Sequence, residues 1–286
     1  ANTGDDFEHL GLHISPDIDT LMYTLAGISN METGWGRADE SWHFMEALAE
    51  LGGETWFQLG DKDLAIHVER TRRLRVGKTL TQVTAELAAR LSVVHRILPM
   101  SDDPVRTRIR TPDGWLAFQD YFVRQRCTPS VMELAFEGAA TARPHPDILQ
   151  LLSGDSLRAV VICPSNPFIS IDPILAVPGI REAIVRCTAP VVAVSPIIAG
   201  KAVKGPTAKM MAELGLPVSA ASVARHLTDL IDIYIADQDD AGSLDGVECP
   251  VRLARTLMLS LNDRIALAHT GRNAADDSTG ARSLIQ

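Results

Sequence analysis

The stretch LRAVVICPSNPFIS, residues 157–170, decides the fold. Its first half is a short, nearly continuous apolar run in which Val160, Val161 and Ile162 are all β-branched. A run of this kind reads as a strand covered on both faces. The second half breaks that pattern. Pro164 and Pro167 fit neither a ladder nor a helix interior, and Ser165 and Asn166 are turn and cap residues. Working outward, the same succession recurs. PVVAV (190–194) gives way to SPIIAGKAVKGP (195–206), and a helical pattern follows at 208–214. A second helical pattern, 218–227, leads into the apolar run LIDIYI (230–235). Strand, turn and helix in alternation predict an α/β fold with a mostly parallel, Rossmann-like sheet flanked by helices.

Residues 36–150 read differently. Helical spacing at 39–51 and 81–91 and a hairpin at 108–118, turning on Pro112-Asp113-Gly114, predict a helical and hairpin insertion over the active site. Residues 1–35 and 151–265 are then expected to form the α/β nucleotide-binding core. The polar, Gly/Ala-rich residues 266–286 are expected to form a loose tail.

Composition narrows the function. With 46% hydrophobic and 22% charged residues the chain is an ordinary globular mixture. A formal charge of −9 repels nucleic acid and anionic membrane surfaces. Cys127, Cys163, Cys187 and Cys249 are scattered, without a C-x-x-C pair, so neither a disulfide framework nor a zinc site is expected. Reduced cysteines, no apolar run of about 18 residues and no secretory pattern predict a cytoplasmic protein. G-x-S-x-G, H-E-x-x-H and the Walker A sequence are all absent.

Residues just after strands carry the chemistry in such folds. After 157–163 come Ser165, Asn166 and Ser170, either an ordinary βα loop or an anion site made from free N–H groups. After 190–194 come Ser195, Gly200, Lys201 and Gly205, either a flexible loop with solvated lysines or a phosphate-holding turn. The opening ANTGDDFEHLGLHISPDIDTLMY (1–23) sets Asp5, Asp6, Asp17 and Asp19 in two short loops. Carboxylates so placed suit Mg²⁺, which takes one or two of them together with substrate phosphates. Helix capping by Ser15 or Asp17 is the other reading. Asp61, Asp63 and His67 in LGDKDLAIH fit a capped helix with a satisfied histidine, or a further polar site. Ser101 and Asp102 in LPMSDDPV fit a turn, or a hydrogen-bonding rim. Together these residues point to metal-assisted chemistry on a phosphorylated small molecule.

NTGDD, SPDIDTLMYTLAG, LGDKDLAIH, LPMSDDPV, FQDYFV, CPSNPFISIDPIL, PGIREAI and VAVSPIIAGKAVKGP occur in this order over residues 2 to 210. In this they resemble the 2-phospho-L-lactate transferases of deazaflavin coenzyme F-420 biosynthesis, more weakly as far as residue 262. The resemblance implies transfer of a phospho-lactyl or phospho-enolpyruvyl group from a guanosine-diphosphate-linked donor to the ribityl hydroxyl of the deazaflavin precursor, with release of GMP. It further implies Mg²⁺ and a homodimer. It places Asp6 and Asp19 closest to the metal, with Asp5 and Asp17 beside them. Ser165, Asn166, Ser170, Ser195, Gly200, Lys201 and Gly205 fall on the nucleotide side, and Asp61, Asp63, His67, Ser101, Asp102, Gln119 and Asp120 around the deazaflavin. The family pattern also has a strand and a GGxGxxK-like loop ahead of the GDD stretch, expected upstream of Ala1. A chain truly without them is expected to be a silent nucleotide- or deazaflavin-binding protein of the same fold.

Overall fold

A computed structural model describes residues 1–282, with side chains as far as residue 278. The chain divides into two compact units. The first is Ala1–Pro129, Leu134–His145 and Ala176–Pro178; the second is Ser130–Glu133, Pro146–Leu175 and the chain from Gly179.

The first unit opens with an antiparallel hairpin, β1 (Phe7–His9) and β2 (Leu12–Ile14), registered Glu8 to His13. Its two turn residues, Leu10 and Gly11, have φ of 52° and 71°, as a turn matched to strand twist requires. Four helices follow: α1 (Pro16–Leu25), α2 (His43–Glu50), α3 (Asp61–Arg75) and α4 (Leu80–Arg90). Pro16 stands in the first turn of α1, where its missing N–H costs nothing. A reciprocal capping box starts α4: Thr79 Oγ1 accepts from the Gln82 N–H at 3.2 Å, and Gln82 Oε1 accepts from the Thr79 N–H at 3.1 Å. Ile18, Met22 and Tyr23 of α1 pack with Ile66 of α3 and with Leu80, Val83 and Leu87 of α4. A small sheet of β3 (Arg106–Thr111), β4 (Gly114–Ala117) and β5 (Glu133–Glu137, all but Glu133 in this unit), in the order β4-β3-β5, completes it.

The second unit holds the parallel sheet. Its elements are α5 (Pro146–Ser153), β6 (Val160–Ile162), α6 (Asp172–Leu175), α7 (Ile180–Arg186), β7 (Val191–Val194), a small hairpin β8 (Ile197–Ile198) and β9 (Lys201–Ala202), α8 (Thr207–Glu213), α9 (Ala220–His226), β10 (Ile233–Asp237), β11 (Val251–Ala254) and α10 (Leu261–Arg282). Strand order is β11-β10-β7-β6, every pair parallel. The carboxyl ends of β6, β7 and β10 therefore share one edge of the sheet. The α/β class is as the apolar runs predict.

Two expectations are corrected. Residues 1–35 group with the helices that follow them and not with the parallel sheet, because Ile18, Met22 and Tyr23 bury against α3 and α4. Residues 266–282 are not a loose tail but most of α10, and 283–286 lie outside the described residues. Leu267, Ala274 and Ala275 of α10 are buried with Val192 and Val194 of β7 and Ile233 and Ile235 of β10. Small residues let this helix approach closely, a Cβ at Gly271 lying 3.9 Å from Ile235 Cδ1. The Ala/Gly composition that suggests a tail is thus a packing face. Among the described residues no helix is long and apolar enough to cross a membrane.

Candidate active site

In the first unit the four N-terminal aspartates separate into two groups, only one of which holds a guanidinium. Asp5 and Asp17 are half-buried and share one amide: Asn2 Nδ2 donates to Asp5 Oδ1 and, at 3.0 Å, to Asp17 Oδ2. Asn2 is itself fixed by accepting the Gly4 N–H at 2.7 Å. Gln119 joins this loop, its amide donating to the Asp5 carbonyl at 3.1 Å. Asp6 is 2% exposed. Its Oδ2 accepts from Ser15 Oγ at 2.8 Å and from His13 Nε2 at 3.2 Å, while Oδ1 is buried with no hydrogen-bond partner among the described residues.

Burial, then the charges of Asp17 and Asp6, push Asp5 well above the ordinary carboxylate value of 3.8. Burial likewise raises Asp17, the Asn2 amide opposing and Asp6 adding to the rise. Three carboxylates thus crowd one loop with too little positive charge. A native carboxyl raised in this way binds protons more readily than the unfolded one. Its stabilising contribution is complete below 3.8 and is lost as pH rises through the higher native value. Asp5→Asn is therefore expected to raise stability at neutral pH and to flatten the decline, a result that thermal melts across pH read directly. Millimolar Mg²⁺ should raise the melting temperature of the native chain at neutral pH and leave it unchanged in acid. A Mg²⁺ effect equal at both would contradict this reading.

Asp19 belongs to the second group, which carries its own counter-charge: burial still raises Asp19, with Arg70 opposing, and Arg70 Nε and His67 Nε2 are buried without hydrogen-bond partners among the described residues. Arg70, 1% exposed, forks Asp19 through both terminal nitrogens, Nη1 lying 3.0 Å from Oδ2. Burial works against the Arg70 charge, but Asp19 outweighs it and holds the guanidinium protonated. Arg70 Nη1 also lies 3.2 Å from His67 Nδ1, and His67 Nε2 lies 3.4 Å from Asp63 Oδ2. Tyr23 Oη donates to Asp63 Oδ1. Burial pushes Asp63 up, yet hydrogen bonding and charge from His67, with Tyr23 and Arg70, hold it below 3.8. Ligand atoms of Asp19, Asp63 and His67 lie within 4.8 Å of one another, the spacing of a three-ligand metal site. The guanidinium against two of those ligands opposes any cation there.

The donor set of the open group fits a hard cation. It offers oxygen atoms only, with an unpartnered buried Asp6 Oδ1 and mutually repelling Asp5 and Asp17. The capping alternative fails on geometry. Ser15 stands before α1 but makes no cap bond, giving its hydroxyl to Asp6.

The other residues that the sequence suggests are placed as follows. Asp61 Oδ1 and Oδ2 accept from the N–H groups of Phe44 and His43 at 3.0 and 3.1 Å. Its hydrogen bonds, first from Ser41, lower it to about 2, so it caps α2 from a distance. Ser101 Oγ donates to the Arg143 carbonyl at 2.7 Å, Asp102 accepts from the Thr81 N–H at 2.7 Å, and Asp120 pairs with Arg124 at 3.2 Å. Those four do not join the acidic groups; Asp63, His67 and Gln119 do. Sequence reading missed Asn2, His13, Tyr23 and Arg70. His13 and Ser15 are two apart at the end of β2, and His67 and Arg70 three apart on one helix face, the only local signals available.

The second unit presents the two loops at the carboxyl edge of its sheet. After β6, Asn166 Oδ1 accepts from the Phe168 N–H at 2.9 Å and starts the helical segment Pro167–Ile171. Ser165 N–H donates to the Cys163 carbonyl at 2.7 Å, and Ser170 N–H to the Asn166 carbonyl at 3.0 Å. After β7, Ser195 is 1% exposed and its hydroxyl is used twice by Ile197, at 2.9 and 3.1 Å. Gly200 and Lys201 are not an open phosphate loop but part of the β8–β9 hairpin, with Ala199 and Gly200 at φ of 47° and 71°. The Ala199 N–H is taken by Asp240 Oδ1 at 3.1 Å. Lys201, Gly200 and Gly205 are exposed.

Residues 1–247 match the family model described as 2-phospho-L-lactate transferase CofD. The chain is 43% identical over 282 residues to a phosphoenolpyruvate transferase of Streptomyces griseus, covering 96% of this chain and 88% of that one. It is 38% identical over 280 residues to a phosphoenolpyruvate transferase of Mycobacterium avium, covering 94% and 81%. A crystal structure of a UPF0052-family protein from Bacillus halodurans, 14% identical, shares the fold with a TM-score of 0.59 over 93% of this chain and 88% of that one.

Proposed function

The chain belongs to the 2-phospho-L-lactate transferase CofD family, and from that premise we propose that it moves a phospho-enolpyruvyl group from a guanosine-diphosphate-linked donor to the ribityl hydroxyl of a deazaflavin precursor of coenzyme F-420. The observation that carries this reading is the charge-open loop, with its buried, unpartnered Asp6 oxygen. The choice of the enolpyruvyl over the lactyl donor rests on the names of the relatives.

The reaction joins the ribityl oxygen to the phosphorus next to the acid and breaks the bond from that phosphorus to the bridging oxygen, which leaves with GMP. A divalent cation would neutralise the charge on the diphosphate; Asp6, with Asp5 or Asp17, would hold it. Whichever half-buried carboxylate is not so engaged would take the hydroxyl proton, its raised proton affinity making it the better base. Arg70 and His67 keep Asp19 and Asp63 out of this work by closing their charge. Cytoplasmic location and a homodimer belong to the same proposal.

Incubation with Mg²⁺, the precursor and each donor in turn tests the reading. The phospho-enolpyruvyl deazaflavin and GMP should appear in equal amounts. Binding of both substrates with no product from either donor would instead make the chain a silent binder.

A further inference from the structure

Asp6 is held in an unusual way for a carboxylate with a ligand to meet. Both of its donors come from β2 and the residue after it, and both converge on the same oxygen: Ser15 Oγ at 2.8 Å and His13 Nε2 at 3.2 Å on Oδ2. A carboxylate oxygen with two donors is saturated. Oδ1 is left buried and unpartnered.

His13 is in turn fixed from behind by α3. The register pairs it with Glu8, and both of its main-chain groups are bonded to α3. Its N–H donates to Thr71 Oγ1 at 2.7 Å, and its carbonyl accepts from Arg70 Nη1 at 3.4 Å. Thr71 Oγ1 is locked by donating to the His67 carbonyl at 2.7 Å. The imidazole thus projects from a backbone clamped on both sides, and its Nε2 must carry the proton to meet a carboxylate oxygen. Ser15, fully buried, gives up the helix-capping role its position offers in order to bond Asp6. Capping by serine is worth about 1 kcal/mol, so its diversion points to a use elsewhere.

We propose that His13 and Ser15 are positioning residues for catalysis: they grip Asp6 Oδ2 so that Oδ1 alone is presented to the cation, and α3 sets the angle through Thr71 and Arg70. This rests on the reading of Asp6 as the cation-facing carboxylate. Donors behind a ligating group commonly change metal affinity by about 10–100-fold when removed.

The test is Mn²⁺ titration of the full chain, free ion read by electron paramagnetic resonance, with melting temperature recorded for each variant. Asp6→Asn should abolish tight binding. His13→Ala should weaken it by about tenfold or more, and His13→Gln, whose amide N–H can reach the same oxygen, should restore most of the loss. Ser15→Ala should weaken binding as well, and carries the test if His13→Ala does not fold. In turnover, His13→Ala should raise the Mg²⁺ concentration needed for half-maximal rate, with His13→Gln again restoring it. If Asp6→Asn loses binding while His13→Ala and Ser15→Ala bind as the native chain does, the positioning role is overturned and the reading of Asp6 stands. If Asp6→Asn itself binds Mn²⁺ normally, both fall.

Discussion

Asp6→Asn is expected to lower turnover about a thousandfold, the ~4 kcal/mol equivalent of losing the phosphate-neutralising cation that Asp6 is proposed to hold. The substitution is nearly isosteric, so an amide oxygen can still accept from Ser15 and His13. What it removes is the negative charge on the unpartnered oxygen. Stability should change little. The amide buries an N–H₂ without a partner, but relieves the repulsion that Asp6 exerts on Asp5 and Asp17. Turnover at saturating donor and precursor, set beside urea unfolding of the same preparation, separates the two effects. Activity within threefold of the native chain would remove Asp6 from the chemistry.

Arg70→Met is expected to do the reverse, acting on stability first. Met approximates the volume of the arginine stem but leaves the Asp19 carboxylate buried and unpaired. Breaking a buried ion pair from one side costs about 3–5 kcal/mol. Arg70 also bonds the His13 carbonyl and sits against His67, so the loss spreads to β2 and α3. Adding Asp19→Asn to Arg70→Met should recover more than half of the loss, because the uncompensated charge is then gone. Urea midpoints of the two single variants and the double variant give the coupling directly. A cost below about 1 kcal/mol for Arg70→Met would mean that the pair is not closed. Asp19 would then be free to act as the metal contact that the sequence suggests.

The parallel sheet is legible in the sequence because burial on both faces writes continuous apolar runs; the runs at 157–163, 190–194 and 230–235 contain β6, β7 and most of β10. The chain-start hairpin is not legible, since three-residue strands are too short to show a period. Nor is α10, whose small residues serve close packing yet look like those of a loop. At the site, the carboxylates are visible but their sorting is not. Asp19 and its counter-charge Arg70 are 51 residues apart, and no local pattern links them. Ser15 reads as a cap because its position is that of a cap; only the nearby Asp6 diverts it. The Gly200-Lys201 stretch reads as a phosphate loop by composition, while the pairing of Ile198 with Lys201 makes it a hairpin turning on Ala199 and Gly200.

In the proposed function Asp6, with Asp5 or Asp17, holds the cation, while Arg70 supplies the counter-charge beside Asp19 and His67. Anomalous diffraction from crystals of the full chain soaked in Mn²⁺ locates the ion without reference to activity. The expected result is a peak against Asp6 Oδ1, with Asp5 or Asp17 beside it. A peak between Asp19, Asp63 and His67, with Arg70 displaced, would contradict it.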